Sequence, residues 1–396
     1  MTRLLPIIVV LAVATACARH TSRVPEDMVF GTLGSLASSA AAESAAGVHG
    51  ATVELEWSAY EPAPGAFSAA YAATIRERMR AFQAAGQQLT LALGVHHSPA
   101  WVRELPGAIA ADQYGTRLPG IDMVFSRAVR DAAAAYFARV GADLGLHNFA
   151  YVRLTSGGNA EMLYNTRGSY AAFSAAAQRE SPLPGWRPGG REASRAQVRA
   201  WADWYVGALA GVTRWQIARF DAFGFTGVYQ AITPGSGVRP DAYADAVASF
   251  LPDGLLGIGG AWHRYYAALA GTPRLMVYVS SVGDGSGSDD SCTPADRQVP
   301  IDSPAAGPWS ATRWLSRLAD EYGFRKGGEN PGYGDTSAAA YADQSDGGLL
   351  ASAVRQAVDC HFDVFNFAHA EQLVRGPLTL DAYAARIRWA RDRRSG

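Results

Sequence analysis

Residues 149–161 read FAYVRLTSGGNAE, directly after a short linker that follows the alanine-rich stretch AVRDAAAAYFARVGADLG at 128–145. The first stretch starts as an aromatic and β-branched run of strand length and ends in glycine, asparagine and glutamate. The second has the apolar spacing of an amphipathic helix. A helix that leads into a strand, with polar residues after the strand, is typical of a β/α repeat.

The same alternation recurs along the chain. Further strand candidates begin at Met28, Ala51, Leu89, Thr226, Arg274, Phe324 and His361, and clear helical patterns begin at Tyr71, Ala196 and Asp381. Eight β/α alternations predict a closed (β/α)8 TIM barrel, because parallel strands need crossover helices and right-handed crossovers let the sheet close. The rival is an open doubly wound sheet, but GTLGS at 31–35 lacks its G-x-G-x-x-G phosphate turn.

The composition fits one large domain. The chain has 396 residues, of which 48% are hydrophobic and 18% charged, with a formal net charge of -1. These values exclude a disordered chain, and the lack of a basic excess argues against a nucleic-acid partner. Lys326 is the only lysine, so lysine chemistry such as an aldolase Schiff base could lie at one position alone. We expect a monomer with a single catalytic domain over residues 24–396.

The first 20 residues predict a targeting segment. Arg3 is followed by the apolar run LLPIIVVLAVATA and then by Cys17. A basic residue before a short apolar stretch is typical of a secretory signal peptide and not of a membrane span. Two outcomes stay open: ordinary cleavage after the A-T-A triplet, or lipid attachment at Cys17, which would tether the protein to a membrane. Either outcome predicts an exported protein, extracellular or at the cell surface.

Two further cysteines, Cys292 and Cys360, could form a disulfide in an exported protein. The barrel prediction places Cys360 at the entry to a strand and Cys292 in a loop that leaves one. Those positions belong to opposite faces of a barrel, so we expect the two thiols to remain apart.

Active sites of such barrels lie at the carboxyl ends of the strands. Glu161 follows the fourth strand and Glu329 follows the seventh, so the two glutamates should face each other across the barrel mouth. Cleavage of a glycosidic bond uses such a pair: one carboxylic acid protonates the leaving oxygen, and one carboxylate attacks the anomeric carbon or activates water. We predict these two residues to be catalytic.

Other residues near the strand ends are candidates for binding a sugar. Aromatic side chains offer flat faces to sugar rings, and polar side chains can bond hydroxyl groups. The candidates are Trp57, Glu61, His97, Trp101, Asn159, Tyr164, Tyr229, Tyr278, Asn330, His369 and Glu371. Arg153 lies within the fourth strand and should point into the barrel, where Glu54 or Glu56 could pair with it.

We expect no metal or other cofactor. His96 and His97 are adjacent on an apparently extended segment and should face opposite ways, so at most one can enter the site. The acidic loop around Asp284, Asp289 and Asp290 does not have the spacing of an EF-hand. Two long loops, 181–194 and 283–309, are rich in glycine and proline and are candidates to shape the binding site.

Four motifs carry a resemblance to known families. WSAYEPAPGAF at 57–67 and GVHHSPAWV at 94–102 resemble the segments after strands 2 and 3 of retaining glycoside hydrolase barrels, including the family 42 β-galactosidases. GGNAEMLYNTRGSY at 157–170 and GGENPGYGDTSAAAY at 327–341 resemble segments of the β-amylases of family 14. By this resemblance Glu161 is the general acid, and Glu329 is the base of an inverting mechanism or the nucleophile of a retaining one.

The sequence thus predicts an exported glycoside hydrolase that acts on an oligo- or polysaccharide and needs no cofactor. The alternative is a carbohydrate-binding lipoprotein that keeps the barrel without the chemistry. The position of the two glutamates discriminates between them, since catalysis requires both to face one cleft.

Overall fold

A computed structural model describes residues 28–285, 287–288, 290–332 and 339–395. Cys17 and the predicted targeting segment lie outside these residues, as does Asp289. Eight strands are present in the described part: β1 Val29–Thr32, β2 Gly50–Glu54, β3 Gln88–Ala92, β4 Phe149–Leu154, β5 Val228–Thr233, β6 Leu275–Val279, β7 Arg325–Glu329 and β8 Val364–Phe367. Each overlaps one of the eight predicted segments, and β2, β3 and β5 extend one residue beyond theirs.

The strands form one closed parallel barrel in chain order. β8 returns to β1, with Val29 opposite Val364 and Thr32 opposite Phe367, so no edge strand is left unpaired. The prediction of a (β/α)8 TIM barrel is therefore confirmed.

The helices of the described residues surround the strands. They are α1 Ala40–Ala45, α2 Trp57–Tyr60, α3 Ala69–Ala84, α4 Ala100–Arg103, α5 Arg127–Leu144, α6 Ala175–Glu180, α7 Arg195–Ala222, α8 Pro240–Ala248, α9 Trp262–Ala268, α10 Ala311–Tyr322, α11 Ala339–Ala342, α12 Leu349–Asp359, α13 Glu371–Arg375 and α14 Leu380–Ser395. None of the helices in this part of the chain is long and apolar enough to cross a membrane.

Local sequence fixes the helix starts. Ser68, Ser126 and Ser194 precede α3, α5 and α7, and each side chain accepts a hydrogen bond from a backbone N–H of the first turn. Such caps satisfy donors that the helix itself leaves free. At Ser194 the cap is reciprocal, because Gln197 bonds back to the serine N–H.

The core has two layers. Side chains inside the barrel, among them Tyr151, Met276 and Tyr278, form a small cluster, and a larger one fills the space between strands and helices. The inner cluster closes the barrel below its mouth, which leaves the carboxyl ends of the strands to form a site.

The expectation for the cysteines is wrong, because Cys292 and Cys360 form a disulfide with their Cα atoms 4.9 Å apart. The long loop after β6 does not stay at the barrel mouth. It runs along α10, where Asp296 pairs with Arg313 at 2.6 Å and the Val299 carbonyl accepts from Arg317 at 2.9 Å. Because α10 descends toward the amino ends of the strands, the loop reaches Cys360 at the end of α12.

Candidate active site

Glu161 is held between the ends of β4 and β5 by its backbone. Its N–H donates to the Asn159 side chain at 3.0 Å, and its carbonyl accepts from Ser156 N–H at 3.1 Å. The next residue, Met162, bonds the Ile232 carbonyl of β5 at 2.7 Å. Asn159 therefore positions the glutamate backbone, which differs from its predicted role as a sugar ligand.

The side chain of Glu161 lies in a largely desolvated place, where it accepts a hydrogen bond from the Ser280 hydroxyl at the end of β6. Burial raises the pKa of Glu161, and the charge of Glu329 raises it further, against the lowering effects of Ser280 and Arg153. A carboxyl group with a raised pKa is suited to hold a proton and donate it.

Glu329 ends β7 and pairs with Arg153 of β4 across the barrel, with 2.8 Å between Nη1 and Oε2. Arg153 points into the barrel as predicted, but its ion-pair partner is Glu329 and neither Glu54 nor Glu56. The same Nη1 donates to the Tyr278 hydroxyl at 3.2 Å, and that hydroxyl accepts from Asn366 at 2.7 Å. Tyr278 thus supports the arginine from below, fully buried, instead of contacting a ligand.

The backbone around Glu329 is fixed from both sides. Its carbonyl accepts from Val282 N–H at 3.1 Å, and the N–H of Asn330 donates to the Asn366 carbonyl at 3.0 Å. The Asn330 side chain donates to Asp284, which also accepts from the Tyr341 hydroxyl at 2.8 Å. Burial raises the pKa of Asp284, as does the charge of Glu329. Asn330, which is buried, therefore positions the end of β7.

A cavity of about 530 Å³ opens at this end of the barrel. Its walls come from the ends of β1, β2, β3, β4, β7 and β8 and from α3. Glu329, Arg153 and Ala160 line it, whereas Glu161 follows Ala160 and is not itself one of the lining residues. Its volume lies within the range of roughly 300–1,000 Å³ that small-molecule sites occupy.

Two of the predicted sugar ligands line this cavity, His97 and His369. Glu371 lies next to His369, with 3.7 Å between Oε1 and Nδ1, and is about half exposed. His96 lines the cavity as well, and its ring lies 4.0 Å from that of His97. The expectation that the two rings face opposite ways is wrong, because the chain turns there: the N–H of His97 bonds the Gly94 carbonyl.

Trp57, Glu61 and Trp101 form a structural group instead of a sugar subsite. Trp57 has no exposed surface and stacks on Tyr136 at 5.0 Å between ring centroids. Its indole N–H donates to the Glu61 carboxylate at 2.8 Å, and that of Trp101 donates to the Glu61 carbonyl at 3.1 Å. The reason is α2, which starts at Trp57 and turns the indole inward toward α5.

Tyr164 and Tyr229 are also core residues, which corrects their predicted role. Tyr229 bonds Asp221 at 2.6 Å on the outer side of the barrel. Tyr164 stacks on Tyr205 with 4.2 Å between ring centroids. It belongs to a buried group beside the mouth that we call the aromatic cluster: Phe125, Tyr164, Tyr170, Trp201 and Tyr205.

Several cavity residues were not predicted as ligands, among them Glu54, Glu56, Tyr71 and Arg78. Glu54 and Glu56 stand two residues apart at the end of β2, a spacing that directs both toward the same side, and this signal is visible in the sequence. Tyr71 and Arg78 come from α3, and only the packing of that helix brings them to the mouth. Together with His96 and His97, the two glutamates and Tyr71 make up what we call the cavity wall.

The described residues contain no cluster of three or more His, Cys, Asp or Glu side chains that could hold a metal ion. Asp290, one of the acids in the loop after β6, instead pairs with Arg313 and accepts from Ser310 N–H at 2.7 Å.

No protein-family model matches the chain, and no curated protein matches it either. Solved structures do resemble its fold. The β-galactosidase of the psychrophilic Marinomonas ef1 aligns with a TM-score of 0.53 at 12% identity, over 86% of this chain and 54% of that one. The β-galactosidase of the Antarctic haloarchaeon Halorubrum lacusprofundi aligns with a TM-score of 0.50 at 14% identity, over 86% of this chain and 52% of that one.

The chain spans about half the length of each of these two proteins. At such identities the likeness concerns the barrel itself. The two structures are thus glycoside hydrolases whose fold resembles the barrel of this chain.

Proposed function

We propose that this protein is an exported glycoside hydrolase in which Glu161 is the general acid and Glu329 is the nucleophile or the base. The observation that carries the proposal is the environment of the two carboxyl groups. They lie at the ends of β4 and β7, the charge of Glu329 raises the pKa of Glu161, and Arg153 pairs with Glu329. Two carboxyl groups in such different settings are suited to divide acid and base work.

The division of labour follows from the contacts. Glu161 would be the proton donor because burial raises its pKa, and it would pass that proton to the glycosidic oxygen as the bond breaks. Glu329 pairs with Arg153 and lines the cavity, and from there it would attack the anomeric carbon or activate a water molecule. Neither route calls for a cofactor.

The comparisons support the reaction class, since two structures with similar barrels, at TM-scores of 0.53 and 0.50, are β-galactosidases. We carry over the cleavage of an O-glycosidic bond and not their sugar. The motif resemblance to the β-amylases and to family 42 stays a prediction, and so does the choice between retention and inversion.

A pair of variants tests the roles. The purified protein is screened on polysaccharides and on aryl glycosides, beside Glu161→Gln and Glu329→Gln. We expect Glu329→Gln to lose at least about 1,000-fold in kcat on every substrate. Glu161→Gln should lose as much on substrates with poor leaving groups, but far less on a dinitrophenyl glycoside, which leaves without protonation.

The matched control is Glu77→Gln, which removes an exposed carboxylate on α3 outside the cavity. It should retain wild-type rates. If both site variants match the wild type, the proposal fails. If the wild type binds a glycan and cleaves none, the carbohydrate-binding alternative replaces it.

Export is the second part of the proposal. The Cys292–Cys360 disulfide supports it, since disulfides persist in oxidising compartments outside the cytosol. Fractionation of cells that express the full chain should find it outside the cytosol. Labelling with a fatty acid, compared with Cys17→Ser, tests whether Cys17 is a lipid anchor. A protein retained in the cytosol would contradict export.

A further inference from the structure

The cavity wall next to β2 carries two carboxylates. Glu54 and Glu56 both line the cavity and both side chains are exposed to it. They flank Leu55, which is buried in the core. Residues two apart on an extended segment project to one side, so the two negative charges face the same space.

Neither carboxylate forms an ion pair with a residue in the described part of the chain. Glu54 accepts one hydrogen bond, from Gly34 N–H at 2.9 Å. Glu56 donates its backbone N–H to the Tyr71 hydroxyl at 2.8 Å, while its carboxylate forms neither a hydrogen bond nor an ion pair with a described residue. The two like charges therefore repel each other across a cavity of limited size.

None of the positive groups of the cavity forms an ion pair with Glu54 or Glu56 among the described residues, although the charge of Arg153 acts on Glu54. Arg153 is paired with Glu329 at 2.8 Å, and Arg78 donates to the Ser35 carbonyl at 3.4 Å. Burial lowers the pKa of His96 to about 4, so this ring is uncharged near neutral pH. An anionic sugar would meet two free carboxylates here, whereas a cation would relieve their repulsion.

The cavity also offers little aromatic surface. Apart from the two histidines and His369, the ring of Tyr71 is the only aromatic one among the described residues that line it. Recognition must therefore rely on charge and hydrogen bonding more than on stacking against sugar faces.

We propose that Glu54 and Glu56 bind the protonated amino group of an amino sugar, and that the cavity prefers such a sugar over its neutral and acidic counterparts. The inference deepens the proposed function and rests on it for the cleavage step. A neutral hydroxyl group could accept or donate a hydrogen bond at this wall, but only a cation lowers the repulsion between the two carboxylates. An ammonium group with three donors suits them both.

The test compares glycosides that differ from one another in a single substituent of the sugar. Aryl 2-amino-2-deoxyhexosides of gluco, galacto and manno configuration, in both anomers, are compared with their N-acetyl and 2-hydroxy counterparts and with the matching hexuronides. Binding to the full chain is measured by titration calorimetry, and cleavage by kcat/KM. We expect an amino member to bind at least about tenfold more tightly than its 2-hydroxy counterpart, with a preference that falls as salt rises.

Variants then locate the effect. Glu54→Gln and Glu56→Gln should each lower the ratio of amino to 2-hydroxy affinity by roughly five- to tenfold. Glu77→Gln, which removes a nearby exposed charge outside the cavity, should leave that ratio unchanged. Circular dichroism of each variant shows whether it is folded.

The outcomes separate this inference from the proposed function. If a 2-hydroxy or N-acetyl sugar or a hexuronide binds better than the amino sugars, or if no amino sugar binds, the inference is overturned, even when glycosides are cleaved. If amino sugars bind as expected and no glycoside is cleaved, the inference stands and the hydrolase proposal fails. If the ratio is the same in Glu54→Gln, Glu56→Gln and the wild type, the assigned residues are wrong.

Discussion

The aromatic cluster and the cavity wall lie at the same end of the barrel and use their side chains in opposite ways. In the aromatic cluster the rings of Tyr164 and Tyr205 stack on each other and are buried. In the cavity wall Glu54 and Glu56 are exposed and unpaired by described residues. The aromatic residues that seemed suited to sugar rings thus stabilise the loops, and charged residues are left to meet a ligand.

The largest effect is expected from Arg153→Met, which breaks the ion pair beneath the cavity. Both side chains of that pair are mostly buried, at 10% and 13% exposure, so removing one leaves a desolvated charge on Glu329. We expect a loss of about 3–5 kcal/mol in the free energy of unfolding. Urea denaturation measures it, and kcat should fall at least about 100-fold because Glu329 loses its counter-ion.

The matched control for this variant is Arg127→Ala. Its ion pair with Asp131 is fully at the surface, with side chains 89% and 72% exposed. Arg127→Ala should lower the free energy of unfolding by less than about 1 kcal/mol. If Arg153→Met is no more destabilising than this control, the ion pair is not a structural support of the site.

Tyr164→Ala tests whether the aromatic cluster is core. Removal of a buried ring should lower the free energy of unfolding by about 3–5 kcal/mol. The control is Tyr114→Ala. Tyr114 is 70% exposed, and its hydroxyl bonds Asp253 at 3.0 Å. This substitution should lower the free energy of unfolding by less than about 1 kcal/mol. Thermal and urea unfolding provide the comparison.

Tyr164→Phe keeps the ring and deletes only the hydrogen bond to the Tyr205 carbonyl, at 2.9 Å. It should lower stability by about 1 kcal/mol and leave KM unchanged. A raised KM in this variant would show that Tyr164 contacts the substrate, as its position after β4 predicted.

Asp122→Asn probes a buried charge beside the aromatic cluster. Burial raises the pKa of Asp122 from 3.8 to about 7, and its Oδ1 accepts from Phe125 N–H at 2.9 Å. Because the folded-state pKa lies above the unfolded one, the folded protein binds the extra proton, and wild-type stability falls as pH rises from about 4 to 7. Asparagine keeps the acceptor and has no charge to lose.

We therefore expect Asp122→Asn to match the wild type at about pH 4 and to exceed its free energy of unfolding by on the order of 4 kcal/mol at pH 8. Denaturation midpoints across this pH range test it. Asp131→Asn, at an exposed carboxylate, should follow the wild-type curve. An Asp122→Asn curve parallel to that of the wild type would show that this carboxyl group does not titrate in the range.

The smallest effect is expected at Tyr71, which lies in the cavity wall. Tyr71→Phe removes the hydroxyl group that accepts a hydrogen bond from Glu56 N–H. It should lower the free energy of unfolding by about 0.5–1.5 kcal/mol. A change of two- to threefold in the amino-sugar preference should accompany it, because the backbone that presents Glu56 is freed. Loss of stability without any change in that preference would separate Tyr71 from the ligand site.

Much of the framework could be predicted because it depends on local patterns. All eight strands overlap predicted segments, although β7, with the sequence RKGGE, is not an apolar run. The polar residues after β4 and at the end of β7 marked Glu161 and Glu329 as residues of the barrel mouth. Strand order follows from chain order in a parallel barrel, which lets a local pattern indicate which residues share an end.

The neighbours of those residues could not be predicted in the same way. The sequence predicted Trp57 to be a sugar ligand, but α2 directs its side chain toward Tyr136, which is far away in sequence. The Cys292–Cys360 bridge depends on the path of a loop along α10, and no local pattern records that path.

The sequence by itself determined the barrel, its strand ends and the two glutamates that lie there, because hydrophobic periodicity and turn residues act over a few positions at a time. Tertiary structure alone decided that Arg153 pairs with Glu329, that most of the predicted aromatic ligands are buried, and that Glu54 and Glu56 face the cavity without an ion pair to a described residue. Those outcomes depend on which surfaces pack together, and packing joins residues that are distant in the chain.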